Sequence, residues 1–351
     1  MNKLITVFLI LGLIFSITSI AGEENANPVE WKYKASSWII STSVSNDASY
    51  NAASALDGSI YFFDKSGKLL WTGNVGHRVV SFSISETKPE ITAVTGERVY
   101  IFNKSGKQLS EYKTVQGSYM VINQAGDFIG GSSSNVYAIV YKDARPFWDY
   151  RTGDKVNSVS LTSDGSTMAV ASSDKSIYLL KSGFLLWKYD VQAPVISVAT
   201  TPDASYVVCG SGSFDSKEGE GPKDFKVFLF DKNGNLLWDY KVGYTVSSVA
   251  ITPDGSYIAV GSWDKKVHIF SKSGEHLKEF KTEGNVLSVA ITADGKKVFA
   301  GSTDANVYFL DIASMSAPAK ESSPKVIFFI TPGIILLIIA LVIGIKKKKK
   351  N

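Results

Sequence analysis

The side chains best suited to hold a metal ion crowd into one short segment, residues 212–225 (GSFDSKEGEGPKDF). Asp215, Glu218, Glu220 and Asp224 supply carboxylate oxygens, the ligands that Ca²⁺ prefers. Their spacing does not match the Asp-x-Asp-x-Asp-Gly order of a calcium-binding loop, and the glycines and proline between them disfavour a helix. The segment is therefore predicted to be a solvated, mobile loop, with a partner-binding loop and a calcium site as the alternatives.

The sequence has three histidines and one cysteine, which makes a weak case for catalysis or for a bound cofactor. His268 falls on a predicted strand, His276 in a predicted turn and His77 in a predicted connection. We therefore expect three isolated histidines that form neither a metal site nor a catalytic triad. Cys209 cannot form an intramolecular disulfide and is predicted to be a small core residue.

The elements that must position these side chains are repeats. The clearest copy, VSSVAITPDGSYIAVGSWDKKVHIFSKSG, occupies residues 246–274. Related stretches recur with a period of about 40 residues, with one interval stretched by the acidic segment. The seven copies begin at or near Ile39, Val79, Gly117, Val156, Val195, Val246 and Val286.

Within one copy the pattern predicts four short strands and no helix. In the clearest copy these are residues 246–252, 257–262, 267–271 and 276–281, separated by turns such as Pro-Asp-Gly. Strands that are apolar on both faces must be covered on both faces, and seven four-stranded units satisfy this as radially packed blades. The sequence therefore predicts an all-β fold, a seven-bladed β-propeller.

The ring is predicted to close through the N-terminus. The seventh copy ends after its third strand, residues 307–311, and so lacks a fourth. Residues 30–34 (EWKYK) share the Trp-x-Tyr pattern of the fourth strands at residues 185–191 (LLWKYDV) and 236–242 (LLWDYKV). An N-terminal strand in the last blade would leave no open seam for edge pairing.

Two sets of motifs resemble known propeller repeats. Ser-x-Asp at residues 172–174, 262–264 and 302–304 is similar to WD repeats. The segments DKSGKLLW at residues 64–71 and DKNGNLLW at residues 231–238 are similar to the tryptophan-docking segment of pyrroloquinoline-quinone (PQQ) repeats. The first resemblance implies an interaction scaffold, and the second implies a relation to quinoprotein dehydrogenases.

Recurrent side chains are interpreted as parts of the scaffold. The tryptophans that recur in the fourth strands are expected to pack between blades, because each can bury roughly 150 to 250 Å². The aspartates that recur in the loops are expected to make turn hydrogen bonds rather than to form a ring of catalytic carboxylates. These residues are Trp31, Trp148, Trp187 and Trp238, and Asp57, Asp174, Asp264 and Asp304.

Side chains outside the repeat pattern are the better candidates for a contact surface. Trp38, His77, Tyr244 and Trp263 fall in connections that a propeller places at one rim. The acidic residues Asp215, Glu218, Glu220 and Asp224 fall in a connection of the same rim. Together these eight residues form the predicted partner-binding rim.

The two ends of the chain predict export and anchoring. Residues 1–21 have the pattern of a signal peptide, and residues 326–345 form an uncharged stretch long enough to span a bilayer as a helix. Five lysines follow within the tail, residues 346–351, and favour a cytoplasmic location for that end. The propeller, residues 22–311, and the linker, residues 312–325, are then expected outside the cytoplasm.

Charge and composition limit the classes of function that the chain can have. Seven lysines lie at the two ends, at position 3, position 325 and positions 346–350. Without them, 30 of the 37 basic residues remain, against 33 acidic residues. The exported part therefore carries about −3, which argues against nucleic acid as a partner. We expect a non-enzymatic scaffold at the cell surface that binds a protein or a cell-surface ligand. The alternative is an enzyme of the PQQ-type quinoprotein dehydrogenase kind.

Overall fold

Runs of Val, Ile, Tyr and Phe between Asp, Ser and Gly turns form strands of mostly six residues. The computed structural model describes residues 27–85, 90–113, 120–122, 128–133, 136–142, 145–213 and 225–318. Within these ranges the chain forms 28 strands and one 3₁₀ helix, η1 (Ile312–Ser314), and no α-helix. All the strands belong to one compact unit, Met1–Ala317.

The strands of the first half of the chain are β1 (Val29–Lys34), β2 (Ile39–Val44), β3 (Tyr50–Ala55), β4 (Ser59–Asp64), β5 (Leu69–Asn74), β6 (Val79–Ile84), β7 (Glu90–Thr95), β8 (Arg98–Asn103), β9 (Gln108–Lys113), β10 (Met120–Ile122), β11 (Phe128–Ser133), β12 (Tyr137–Lys142), β13 (Arg145–Arg151) and β14 (Val156–Leu161). Those of the second half are β15 (Thr167–Ser172), β16 (Ser176–Lys181), β17 (Phe184–Asp190), β18 (Val195–Thr200), β19 (Tyr206–Ser211), β20 (Lys226–Asp231), β21 (Leu236–Lys241), β22 (Val246–Ile251), β23 (Tyr257–Ser262), β24 (Lys266–Ser271), β25 (His276–Lys281), β26 (Val286–Ile291), β27 (Lys297–Ser302) and β28 (Asn306–Asp311).

The strands form seven antiparallel sheets of four, which are the blades of a propeller. Blades one to six each use four consecutive strands, beginning with β2, β6, β10, β14, β18 and β22. Blade seven has the order β1-β28-β27-β26, so its outermost strand comes from the N-terminus. Trp31 lies opposite Phe309 and Lys34 opposite Asn306 in this pairing. The predicted seven blades and the predicted closure by residues 30–34 are confirmed.

Neighbouring blades are joined near the axis by serine hydroxyls. In the first strands, Ser197 Oγ accepts a hydrogen bond from the backbone N–H of Val249 at 3.0 Å, and Ser248 Oγ accepts one from Val289 at 3.1 Å. Between blades seven and one, Ser288 Oγ accepts from the N–H of Thr42 at 3.0 Å. The first strands carry backbone groups that no neighbouring strand satisfies, and the serine side chains satisfy them.

Farther from the axis, each docking tryptophan packs on the next blade. The Trp238 ring lies against Gly274, where an added Cβ would meet the indole at 2.7 Å, and its N–H donates to Lys272 O at 2.9 Å. Gly274 has φ of +87°, so this turn also requires glycine for its backbone. Trp31, Trp71 and Trp187 donate in the same way to Lys65, Lys104 and Lys232. The predicted packing between blades is confirmed for Trp31, Trp187 and Trp238. Trp148 lies against Gly183 of blade four, although its indole N–H has no partner among the described residues, and Trp71 packs in the same way as the other three.

The chain continues against the propeller after β28. Ile312 and Met315 are buried, and the N–H of Glu279 on β25 donates to Ser316 O at 2.8 Å. Residues 312–317, the beginning of the predicted linker, therefore cover the outer strand of blade six. No helix within the described ranges is long and apolar enough to cross a membrane. The predicted signal peptide and membrane helix lie outside those ranges.

Candidate functional site

One end of the propeller carries the connections that leave the repeat pattern. Because the strands alternate in direction, the connections between second and third strands lie at the same end as those that join successive blades. We call this end the loop face. It holds Trp38, His77, Tyr244 and Trp263, and the ends of β19 and β20 between which the acidic segment lies.

The recurrent aspartates of the loop face are occupied by the scaffold. Asp304 Oδ1 accepts from the N–H of Asn306 at 2.8 Å, while Oδ2 accepts from the hydroxyl of Tyr308 at 2.6 Å and from the N–H of Gly284 at 3.1 Å. Burial raises the pKa of Asp304, but these hydrogen bonds outweigh it and the net pKa is lowered. Asp57, Asp174 and Asp264 accept the equivalent backbone N–H bond, so the predicted turn role is confirmed.

Two of the predicted rim residues lie on either side of one loop of blade one. Trp38 is 52% exposed and its carbonyl accepts from the N–H of Leu56, which is itself 41% exposed. The backbone of His77 closes the other side of the same loop, since an added Cβ on Gly58 would lie 2.9 Å from His77 O. Trp38, Leu56 and His77 are thus exposed residues in or beside this loop, and we call them the blade-one patch.

The other two predicted rim residues meet at blades five and six. Tyr244 stacks on Trp263 with ring centroids 6.1 Å apart, and on Phe225 at 4.9 Å. Phe225 is buried and follows the acidic insertion directly. The stack therefore fixes the point where the insertion rejoins the propeller. Asp215, Glu218, Glu220 and Asp224 lie outside the described residues.

A central cavity of about 360 Å³ lies among the first strands of the blades. Serine and threonine hydroxyls and aliphatic side chains form most of its wall, and several of these serines make the bonds between blades. Arg78 is the charged side chain in the described wall, which contains no carboxylate, histidine or cysteine. The described part of the cavity thus offers hydroxyl groups but no general acid or base.

Two histidines predicted to be isolated are in contact, so that prediction is wrong. His268 Nδ1 lies 3.2 Å from His276 Nε2, and His268 Nε2 lies 2.9 Å from Asp264 Oδ2. His276 Nδ1 lies 3.2 Å from the hydroxyl of Tyr240, on the neighbouring blade. His276 begins strand β25, in agreement with the predicted strand 276–281, and does not lie in a turn. The result is a row of four hydrogen-bonded groups at the interface of blades five and six.

The charges around this row are balanced locally. Burial, followed by the charge of His268, lowers the pKa of His276 to about 4, so its imidazole is neutral near pH 7. Burial raises the pKa of Asp264, but the hydrogen bond and charge of His268 outweigh burial and the net pKa is lowered. Glu279, opposite His268, accepts from Lys266 Nζ at 2.9 and 3.0 Å. His268, His276 and Glu279 each place one potential metal-binding atom within 4.8 Å of the others.

Exposed apolar side chains also line the outer strands. They recur in the first residues of the fourth strands of blades one to five, just before the docking tryptophan where one is present. The most exposed is Phe184, at 76%. These outer-strand residues are Leu70, Leu109, Phe147, Phe184, Leu185, Leu186, Leu236 and Leu237.

Comparison with known proteins agrees with this architecture. The family described as WD domain, G-beta repeat matches residues 148–180, 234–271 and 274–311. Each match begins in or just before the fourth strand of one blade and ends at the third strand of the next. The sequence repeat therefore begins one strand earlier than the structural blade. This offset leaves a single fourth strand at the N-terminus, which is β1.

One curated relative adds a second line of support. The chain is similar to "Eukaryotic translation initiation factor 3 subunit I" of Bombyx mori, with 30% identity over 137 residues. This match covers 33% of the chain and 41% of the relative, so it spans less than half of the relative's length. The family matches and the seven-bladed fold together support a WD-repeat propeller.

Proposed function

We propose that this protein is a non-enzymatic scaffold that binds a protein partner through the blade-one patch of its loop face. One observation carries the proposal: Trp38, 52% exposed beside the 41% exposed Leu56, lies in a connection whose repeated polar groups are already occupied by the scaffold. Exposed tryptophans are enriched among the residues that dominate binding energy at interfaces. WD-repeat propellers typically bind proteins, which agrees with this assignment.

The experiment compares two equal changes on different surfaces. Full-length chain with a photocrosslinker at position 37, next to Trp38, is isolated from native membranes after irradiation. Trp38→Ser is expected to remove a specific crosslinked species, because loss of an anchoring aromatic costs about 2 kcal/mol or more of binding energy. Phe184→Ser is the matched control, since Phe184 is even more exposed but lies on an outer strand.

The two variants separate the candidate surfaces. If Phe184→Ser abolishes the crosslinked species and Trp38→Ser leaves it unchanged, binding belongs to the outer-strand residues and the proposed site is wrong. If neither change affects any crosslink, the blade-one patch has no partner under native conditions.

The enzymatic alternative finds no support in the wall of the central cavity. A quinone with a bound Ca²⁺ needs carboxylate or other charged ligands, whereas the described wall offers hydroxyls, aliphatic side chains and Arg78. We expect the purified chain, incubated with PQQ and Ca²⁺ and then desalted, to retain no quinone absorbance. A stoichiometric retained chromophore would favour the quinoprotein assignment.

We also propose that the propeller is displayed outside the cytoplasm and anchored by residues 326–345. The support comes from the sequence: an apolar stretch of bilayer length followed by five lysines, together with the signal-like residues 1–21. Protease added to intact cells should remove the propeller. Complete protection until lysis would contradict this topology.

A further inference from the structure

We infer that His268, His276 and Glu279 form a binding site for a divalent transition metal ion, with Zn²⁺ as the best-fitting ion. Two imidazole nitrogens and one carboxylate are a ligand set that zinc takes in proteins. The three residues lie on the adjacent strands β24 and β25. Because these strands are hydrogen-bonded along the hairpin, the backbone holds the ligands in place before any metal arrives.

The separation of the nitrogens fits a shared metal. His268 Nδ1 and His276 Nε2 are 3.2 Å apart. Two ligands at about 2.0 to 2.1 Å from a tetrahedral zinc ion are separated by about 3.3 to 3.4 Å. All three ligand atoms lie within 4.8 Å of one another, so a rotation of the Glu279 side chain is enough to complete the set.

The other nitrogen of each ring already has the partner that a metal ligand needs. His268 Nε2 lies 2.9 Å from the carboxylate of Asp264, which also accepts from the N–H of Gly243. A carboxylate only accepts, so the neutral form of His268 carries its proton on Nε2 and has its lone pair on Nδ1. Tyr240 stands at His276 Nδ1 in the same supporting position. Such outer partners fix the orientation of ligating histidines.

Metal binding requires a tautomer change but no net loss of a proton. With both imidazoles neutral and the His268 proton on Nε2, His276 Nε2–H donates to His268 Nδ1, and Tyr240 O–H donates to His276 Nδ1. With the metal on both facing nitrogens, the His276 proton moves to Nδ1 and donates to the Tyr240 oxygen. Each imidazole stays neutral, as a metal ligand must be.

Both histidines depart from the repeat, whereas the position of Glu279 holds Glu111 in blade two and Asp239 in blade five. The position of His268 holds Tyr178 in blade four and Tyr308 in blade seven, and both donate to the loop aspartate. The position of His276 holds Leu236 in blade five. Since the scaffold folds with tyrosine and leucine at these positions in other blades, folding alone does not require a pair of histidines here.

Lys266 competes with the metal ion for the third ligand, Glu279. Its ammonium group donates to both oxygens of Glu279 at 2.9 and 3.0 Å. The Glu279 side chain is 18% exposed and that of Lys266 is 32% exposed, so the pair can separate towards solvent. Metal binding must displace this ion pair, whose typical worth is below about 1 kcal/mol.

The test measures metal binding by the full chain, purified in detergent without a polyhistidine tag. Calorimetry with Zn²⁺ is expected to give one site per chain, and Co²⁺ in its place to give the intense visible absorption of a tetrahedral complex. His268→Tyr and His276→Leu restore the residues of other blades and should each weaken zinc affinity by at least about 100-fold, more than the loss of an outer partner does. Lys266→Met should strengthen it by up to about fivefold.

Two measurements keep the result decisive. His77→Leu removes the remaining histidine, which lies outside the cluster, and should leave affinity unchanged. Zinc should raise the melting temperature of the wild type and of His77→Leu but not that of His268→Tyr, while the metal-free forms should melt within a few degrees of one another. Absence of zinc binding by the wild type, or equal binding by His268→Tyr and His276→Leu, would overturn the assignment.

Discussion

Replacement of Trp31 by alanine tests how much the N-terminal strand contributes to closing the ring. The centroid of the Trp31 ring lies 5.1 Å from the ring centroid of Phe309 in its own blade, and 5.3 Å from that of Phe63 in the next blade. It lies 5.5 Å from Phe299, and its N–H donates to Lys65 O at 3.2 Å. This one side chain therefore joins the N-terminal strand to both of the blades that meet at the closure.

The expected cost follows from those contacts. Truncation of a large buried aromatic side chain costs about 3 to 5 kcal/mol. Trp31 is partly exposed, and its hydrogen bond is worth about 1 kcal/mol net. We therefore expect Trp31→Ala to destabilise the propeller by about 3 to 4 kcal/mol. Deletion of residues 30–34 should cost more, because it also exposes the backbone edge of β28.

The assay is urea unfolding followed by far-ultraviolet circular dichroism, so that loss of a tryptophan does not change the signal. Lys32→Ala is the control, because Lys32 is an exposed residue of the same strand and its removal should change stability by less than about 0.5 kcal/mol. If Trp31→Ala unfolds at the same urea concentration as Lys32→Ala, the closure contributes little and the ring is held by its other six interfaces.

Three further predictions concern the scaffold. Trp71→Phe should lower the free energy of unfolding by about 1 kcal/mol more than Trp148→Phe does. The reason is that the Trp71 indole N–H donates to Lys104 O, whereas the buried Trp148 indole N–H has no partner among the described residues. Equal urea midpoints for the two variants would count against this. Asp254→Ala should lower the melting temperature near pH 7, because hydrogen bonds from Ser256 and Thr252 lower the Asp254 pKa from 3.8 to about 2. This contribution is complete above about pH 4 and fades as the pH falls towards 2, so wild type and variant should converge there, and a gap independent of pH would refute the assignment. Lys34→Cys with Asn306→Cys, facing residues in β1 and β28, should crosslink within one chain in a Cys209→Ser background, and only intermolecular products would contradict the pairing.

Most of the scaffold could be predicted from the sequence because the pattern of one blade occurs there in seven copies. The strands of blade six lie within one residue of their predicted bounds, for example Val246–Ile251 for a predicted 246–252. Alternating apolar runs and Thr-x-Asp-Gly turns have a direct physical cause: Asp254 accepts from Ser256 N–H and Thr252 hydroxyl, and Gly255 has φ of +73°. Agreement between copies removes the ambiguity that a single short strand would carry.

The histidine site could not be predicted because it depends on a bulge. Strand β25 has an irregularity opposite Ile269 and Phe270, which makes His276 face Phe270 and Glu279 face His268. With regular pairing from His276, residue 278 would lie opposite His268, and a lysine would replace the carboxylate. A one-residue shift changes which side chains share a face, and the sequence does not show where the shift falls.

The same bulge between third and fourth strands occurs in every other blade that folds from consecutive strands, so it belongs to the scaffold rather than to a site. Blade six lacks the docking tryptophan, as does blade two with Ser110, and it precedes the blade that closes the ring. Blade seven takes its outer strand from the N-terminus and has no turn there for a docking tryptophan to contact. Lys278 stands at that position of blade six, and its ammonium group donates instead to the carbonyls of Ala313 and Met315. Strand β25 therefore packs against residues 312–317 instead of a turn of blade seven, and the same strand supplies both His276 and Glu279.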